Sequence, residues 1–204
     1  MIDIVTLACS IKHNGFCLAG KTINEPHNWI RLVSDKDGKE LDQNQIQVDG
    51  AQISPFDVLR IDETKKAPLF YQPENIIFDQ TTTTRIQNDN IDLTPYLDSP
   101  DLLWGNKSSS ISETEISSIN GSLFLIQVCD LEIVYKIENA KPKTRASFIF
   151  KGIQYNDFRV TDPLVRCNTK KKSAILCVSL GEPFNPGHWC YSRHYKIVAR
   201  VFNG

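Results

Sequence analysis

Short apolar–polar alternations, cut by turn signals, recur along the whole chain and leave room for little helix. Residues 2–8 alternate and are rich in β-branched types, the pattern of a half-buried strand. His13-Asn14-Gly15 follows, where Asn-Gly favours a hairpin, and residues 16–20 read as the returning strand. Residues 29–33, 58–62 and 75–79 read as three more strands. Asp35-Lys36-Asp37-Gly38 is a turn, and residues 41–48 read as a short helical or irregular stretch. Residues 80–90 are polar and threonine-rich, and two prolines within 94–100 shorten any helix there. Residues 106–110 read as a loop. Ser112 with Glu115 has the capping-box spacing, and Asn120-Gly121 closes that short helix.

The last third is more regular. Residues 122–128 and 131–137 read as two strands with a tight connection. Residues 145–150 and 153–160 form a hairpin around Lys151-Gly152. Residues 174–180 are a nearly continuous apolar strand, and 195–202 alternate with Arg200 facing solvent. Several short strands with little helix suit a small barrel. The first half has a similar strand count, so the chain is expected to be mainly β, as two small barrels in tandem. Residues 1–118 would hold the first barrel with an irregular acidic extension, and residues 119–204 a basic second barrel.

A chain of 204 residues accommodates two domains of about 100 residues. The N-terminus has an acid where an export signal has positive charge, and no run approaches the ~20 apolar residues of a membrane helix. A cytoplasmic protein is expected. Its six cysteines, Cys9, Cys17, Cys129, Cys167, Cys177 and Cys190, then read as reduced thiols, several within apolar strands.

A net charge of −1 hides a division. Residues 141–204 hold 12 Lys/Arg against 3 Asp/Glu, and residues 1–140 hold 11 against 21. A basic segment of this kind attracts polyanions, unless the two halves neutralise each other.

No phosphate loop, dinucleotide fingerprint or zinc-protease motif is present, so no catalytic residue, cofactor or metal is expected. Cys9, His13 and Cys17 are evenly spaced but lack a fourth ligand, so hairpin structure is the favoured reading. His188, Cys190 and His194 also lack one unless Cys167 approaches. In that segment Trp189 and Tyr191 offer stacking faces, and Arg193 and Lys196 offer charge, a mixture suited to single-stranded nucleic acid. They could equally cover a barrel end. Lys170-Lys171-Lys172 reads as a basic loop that is either solvated surface or a phosphate contact. Asp162 before Pro163 favours a turn over a catalytic acid. Ser179 lacks the elbow glycines of a hydrolase nucleophile, while Gly181 and Glu182 could line a ligand-facing loop.

Four phrases stand together in order: residues 7–13 with 17–21, 29–34, 160–163 and 176–184. Through them the chain resembles the dual OB-containing domain family of bacterial proteins. The resemblance spans nearly the full chain and implies two OB-like β-barrels in tandem with short helices and irregular connections. It also implies a prokaryotic setting, near defence or conflict genes, and transfers no catalytic residue.

The leading expectation is a non-catalytic nucleic-acid-binding accessory protein, single-strand-preferring and sequence-tolerant. Its contacts would be Arg145, Lys151, Arg159, Lys170, Lys171, Lys172 and Arg193, with Phe184 and Trp189 stacking. A second expectation is an interaction module docking protein partners, an acidic one on the basic half. A third is a small-nucleotide sensor, with a mixed-charge pocket rimmed by Lys21, Trp29, Arg31, Asp162, Gly181 and Glu182.

Overall fold

The computed structural model describes residues 1–86, 91–138, 141–185, 187 and 191–203. The chain forms two compact units, Met1–Tyr96 and Leu97–Gly204. This division falls earlier than the expected one at 118. Residues 110–112 supply a strand to the second sheet, so the segment before them belongs with the second unit.

The first unit contains β1 (Ile2–Lys12), β2 (Gly15–Thr22), β3 (Trp29–Val33), β4 (Gln47–Val48), β5 (Ala51–Gln52), β6 (Val58–Ile61), β7 (Asn75–Ile77) and β8 (Thr84–Ile86). The main sheet runs β7-β3-β2-β1-β6-β8, and β4 pairs only with β5. Contacts are antiparallel except β3 with β7, which run parallel. The expected helical or irregular stretch at 41–48 is a turn leading into the β4–β5 hairpin. Asp49 and Gly50 both take positive φ there, the geometry of a tight two-residue hairpin turn. The polar run 80–90 contains the edge strand β8, while residues 87–90 lie outside the described residues.

The sheet curls because β1 bulges between Thr6 and Ala8 opposite Gly20. A Cβ at Gly20 would stand 2.2 Å from the Val5 carbonyl oxygen, so only glycine fits this close approach. Inside the curl, Ile4, Leu18, Leu32, Leu59 and Ile76 pack with Leu41, Ile46 and Ile53. The first hairpin turn centres on His13 and Asn14, with His13 at φ 47° and Gly15 already in the strand.

The second unit contains β9 (Ser110–Ser112), α1 (Glu113–Ile116), β10 (Leu123–Glu138), β11 (Lys141–Phe150), β12 (Ile153–Val160), β13 (Thr169–Phe184) and β14 (Arg193–Asn203). Its order is β12-β11-β10-β13-β14-β9, and a parallel pairing of β12 with β14 closes a five-stranded barrel. The two strands expected at 122–128 and 131–137 are one strand. Asp130, at φ 49°, forms a bulge there instead of a turn, so β10 bends from β13 onto β11 without reversing. Lys170–Lys172 likewise lies in β13 and not in a loop. Lys151 and Gly152 make the expected hairpin turn, both at positive φ.

The barrel interior is led by Phe148, Tyr155 and Phe158, with ring centroids 5.2–5.8 Å apart. Each buried side chain of this size contributes roughly 1.5–3 kcal/mol through burial alone. The Tyr155 hydroxyl accepts from Leu103 N at 3.2 Å, which satisfies its polar end.

Both units share one connectivity. The first strand pairs with the second and fourth, the third pairs with the second, and the fifth lies parallel to the third. In the second unit these are β10, β11, β12, β13 and β14. In the first they are β1, β2, β3, β6 and β7, with the circuit left open between β6 and β7. This is the Greek-key order of an OB barrel, closed once and half-closed once.

Candidate functional site

The outer wall of the second barrel is set by strand alternation. Thr144, Ala146, Phe148 and Phe150 of β11 point inward, so Lys141, Lys143 and Arg145 line the outside at every second residue. Their Cα atoms therefore follow one another at roughly 7 Å. Register then places like charges opposite each other: Arg145 faces Arg159 of β12, and Lys143 faces Lys136 of β10. Directly opposed like charges oppose sheet formation, so two such rungs on one wall need a compensating feature.

Part of that compensation is local. Arg145 meets Asp157 at 3.2 Å, Lys143 meets Glu138, and Lys170 meets Glu132 at 2.8 Å. All three pairs are solvent-exposed and individually weak. Among the described residues Lys141, Arg159 and Lys172 have no ion-pair partner. Lys171 hydrogen-bonds Asn203. Lys151 donates to the Ser99 carbonyl at 2.8 Å and approaches Asp101 at 3.6 Å. It sits at the β11–β12 turn, away from the alternating column.

The connection from β13 to β14 is the second exposed feature. Phe184 ends β13 at 57% exposure, and Tyr191 stands at 45% exposure before β14. Phe184 meets Tyr195 edge-on at 6.1 Å between centroids. Trp189, His188 and Cys190 lie outside the described residues. Arg193 is turned toward β9, donating to Ser110 Oγ at 2.7 Å and to the Ser110 carbonyl at 3.4 Å.

Near Arg193 lies a polar cluster built on Lys196, which was expected to offer charge to nucleic acid and is instead buried. Lys196 is 1% exposed and donates to both the backbone and side-chain oxygens of Asn106 at 2.8 Å. Burial pushes its ammonium down to about 7, against the opposing pull of the Glu115 carboxylate. Glu115 is itself held at about 2 by the Ser112 backbone N–H, then by the Ser112 hydroxyl and Asn106. These contacts include the expected capping box of α1. The alternation of residues 195–202 was visible, but nothing in it marked position 196 as buried.

The six residues of the expected mixed-charge pocket divide between the units. In the first, Lys21 and Trp29 are direct cross-strand partners, and Lys21 Nζ sits 5.1 Å from the Trp29 ring centroid. Lys21 also donates to the Tyr96 carbonyl at 2.7 Å. Arg31 is buried, with its guanidinium 3.3 Å from Glu74 and 2.7 Å from Cys17 Sγ. Burial alone would lower its pKa, but the Cys17 sulfur and Glu74 outweigh this and raise it. In the second unit, Asp162 accepts from Leu164 N, Val201 N and Arg200 Nη1 at 2.9–3.2 Å. It is a turn residue that anchors the β12–β13 connection. It also draws Arg200, expected to face solvent, into a largely buried ion pair. Gly181 lies against β14, its carbonyl accepting from His194 Nδ1 at 2.9 Å, and Glu182 follows it in β13.

A family model for the dual OB-containing domain matches residues 2–201, in agreement with the two Greek-key circuits. This chain belongs to the dual OB-containing domain family. No curated protein matches it, and no solved structure matches it. Dual OB-containing domain architecture supports binding of nucleic acids or proteins in general terms. Among the described residues no group of three His, Cys, Asp or Glu side chains is placed to hold a metal. Cys9 and Cys177 are buried, and Cys129 and Cys167 are exposed. No described helix is long and apolar enough to cross a membrane.

Proposed function

We propose that this protein is a non-catalytic nucleic-acid-binding protein and that its contact surface is the outer wall of the second barrel, centred on β11 and β12 and continuing across β10 to the start of β13. The supporting observation is the pair of like-charge rungs, Arg145 opposite Arg159 and Lys143 opposite Lys136. A phosphodiester backbone laid on this wall relieves their mutual repulsion. OB barrels take oligonucleotides on the face of their second and third strands and on the loop between the fourth and fifth. Here those are β11, β12 and the β13–β14 connection, with exposed Phe184 and Tyr191. Phosphate contacts position the ligand, and stacking on ring faces tolerates any base, so a single strand of mixed sequence is the fitting ligand.

Arg145, Arg159 and Lys172 form the core of this reading, with Lys136, Lys141 and Lys143 added by the fold. Lys151, Lys170, Lys171 and Arg193 are secondary, since each has an intramolecular partner and none stands in a like-charge rung. An accessory role beside bacterial defence genes belongs to the same proposal.

Fluorescence anisotropy with an unstructured oligonucleotide tests it. Affinity should fall linearly on logarithmic axes as salt rises. The R145A/R159A variant should bind about tenfold more weakly at low salt, with a slope smaller by about 1.4, from ~0.7 per phosphate contact on a single strand. Absence of binding at low salt, or identical binding by the variant, rejects the assignment. An acidic protein partner would use the same wall, and capture that survives nuclease treatment would favour it.

A further inference from the structure

The wall contains its own competitors for phosphate. Three of its cations are engaged by carboxylates on the same outer surface: Arg145 by Asp157, Lys143 by Glu138 and Lys170 by Glu132. One of these arrangements is built into the backbone. β12 has an extra residue relative to β11 between the rungs Ala146–Phe158 and Phe148–Tyr155. Asp157 occupies this bulge at φ 62°, a left-handed conformation uncommon for a residue with a side chain. The bulge re-aims the strand so that the Asp157 carboxylate reaches Arg145 across the sheet. The second arrangement is diagonal. Glu138 lies directly opposite Lys141 but pairs with Lys143, the lysine of a like-charge rung. The third, Glu132 with Lys170, is a direct cross-strand pair between β10 and β13.

Building on the nucleic-acid reading, we propose that these carboxylates make the wall selective for polymeric phosphodiesters over isolated phosphates and mononucleotides. A mononucleotide that binds at Arg145, Lys143 or Lys170 must displace a carboxylate there, exchanging one anion for another with little gain. A polymer displaces all three together, because its phosphates are linked and each later exchange is intramolecular. It also joins Arg159 and Lys141, which have no ion-pair partner among the described residues, to the three paired cations along one strand. The carboxylates thus set a threshold that only contiguous charge passes. They also restrain the repulsion between opposed cations while the wall is empty.

The test compares the full-length wild type with an E132Q/E138Q/D157N variant, using an unstructured oligonucleotide and a nucleoside triphosphate as probes. The substitutions keep side-chain shape, and asparagine tolerates the left-handed backbone at 157. Wild type should bind the oligonucleotide at least about 100-fold more tightly than the triphosphate. The variant should bind the oligonucleotide about tenfold more tightly at low salt. Its salt slope should match that of wild type, because the same cations meet phosphate in both complexes. The triphosphate should gain more than about tenfold, narrowing the gap. If both proteins bind the oligonucleotide with equal affinity, or wild type holds both probes equally, the competitor role is overturned while nucleic-acid binding stands. If neither protein binds the oligonucleotide, the nucleic-acid reading itself fails.

Discussion

Lys196 shows how one side chain can be fixed by burial without a counter-charge at contact distance. A neutral amine has two N–H donors, and both can be spent on the two Asn106 oxygens. Its pKa of about 7 against 10.5 for an open lysine means the folded state disfavours the ammonium. Below about pH 7 folded and unfolded chains both hold the proton, and the burial cost is fully present. As pH rises from there toward about 10.5, the unfolded chain holds the proton and the folded chain does not. Stability should therefore rise across that window, by at most about 1.4 kcal/mol per pH unit from this group. Urea unfolding at about pH 6 and about pH 9 measures the rise, and Lys196→Met should flatten it. Equal pH dependence in wild type and variant would show that the amine keeps its proton in the fold.

At the scale of elements, glycine and aspartate decide how strands bend. Gly20 sits opposite the β1 bulge, with the Val5 carbonyl oxygen and carbon 2.2 and 2.9 Å from where a Cβ would be. Both atoms are backbone, so neither can swing aside. Gly20→Ala should cost at least about 1–3 kcal/mol, as expected of overpacking, and appear as a lower urea midpoint. An unchanged midpoint would mean that the bulge relaxes without cost. Strand positions were legible where alternation and turn chemistry agreed. β3 falls on the expected residues 29–33, and the Lys151-Gly152 turn stands where its glycine indicated. Asp130 was less transparent. Asp tolerates positive φ in a turn and in a bulge alike, and only the pairing of β10 with both β11 and β13 separates the two. The site was legible in the same uneven way. Arg145 and Arg159 were named from their charge. That they oppose each other, and that Asp157 restrains one of them, depends on a register shift that no local pattern encodes.

For the whole molecule, the decisive change is how charge groups. Leu97–Gly204 contains 14 Lys/Arg and 10 Asp/Glu, a far smaller excess than 12 against 3 for residues 141–204 alone. Residues 97–140 bring Glu132 and Glu138 into the same sheet as the cations they pair with. The second barrel closes on itself and has its own aromatic core. A fragment spanning 97–204 should therefore unfold cooperatively in urea and bind an unstructured oligonucleotide with the salt slope of the full chain. A fragment lacking a cooperative transition would contradict barrel autonomy, and a shallower slope would give the first unit a share in binding.

The sequence by itself determined the strand content, the tight turns, the capping box of α1 and the two-barrel plan, since period-two alternation and turn chemistry act over a few neighbouring residues. Tertiary structure alone decided that β10 is one bent strand, that Lys196 is buried, and that three wall cations face three carboxylates. Those outcomes depend on which distant strand pairs with which and in what register, and a shift of one residue would turn every side chain of a strand to the opposite face.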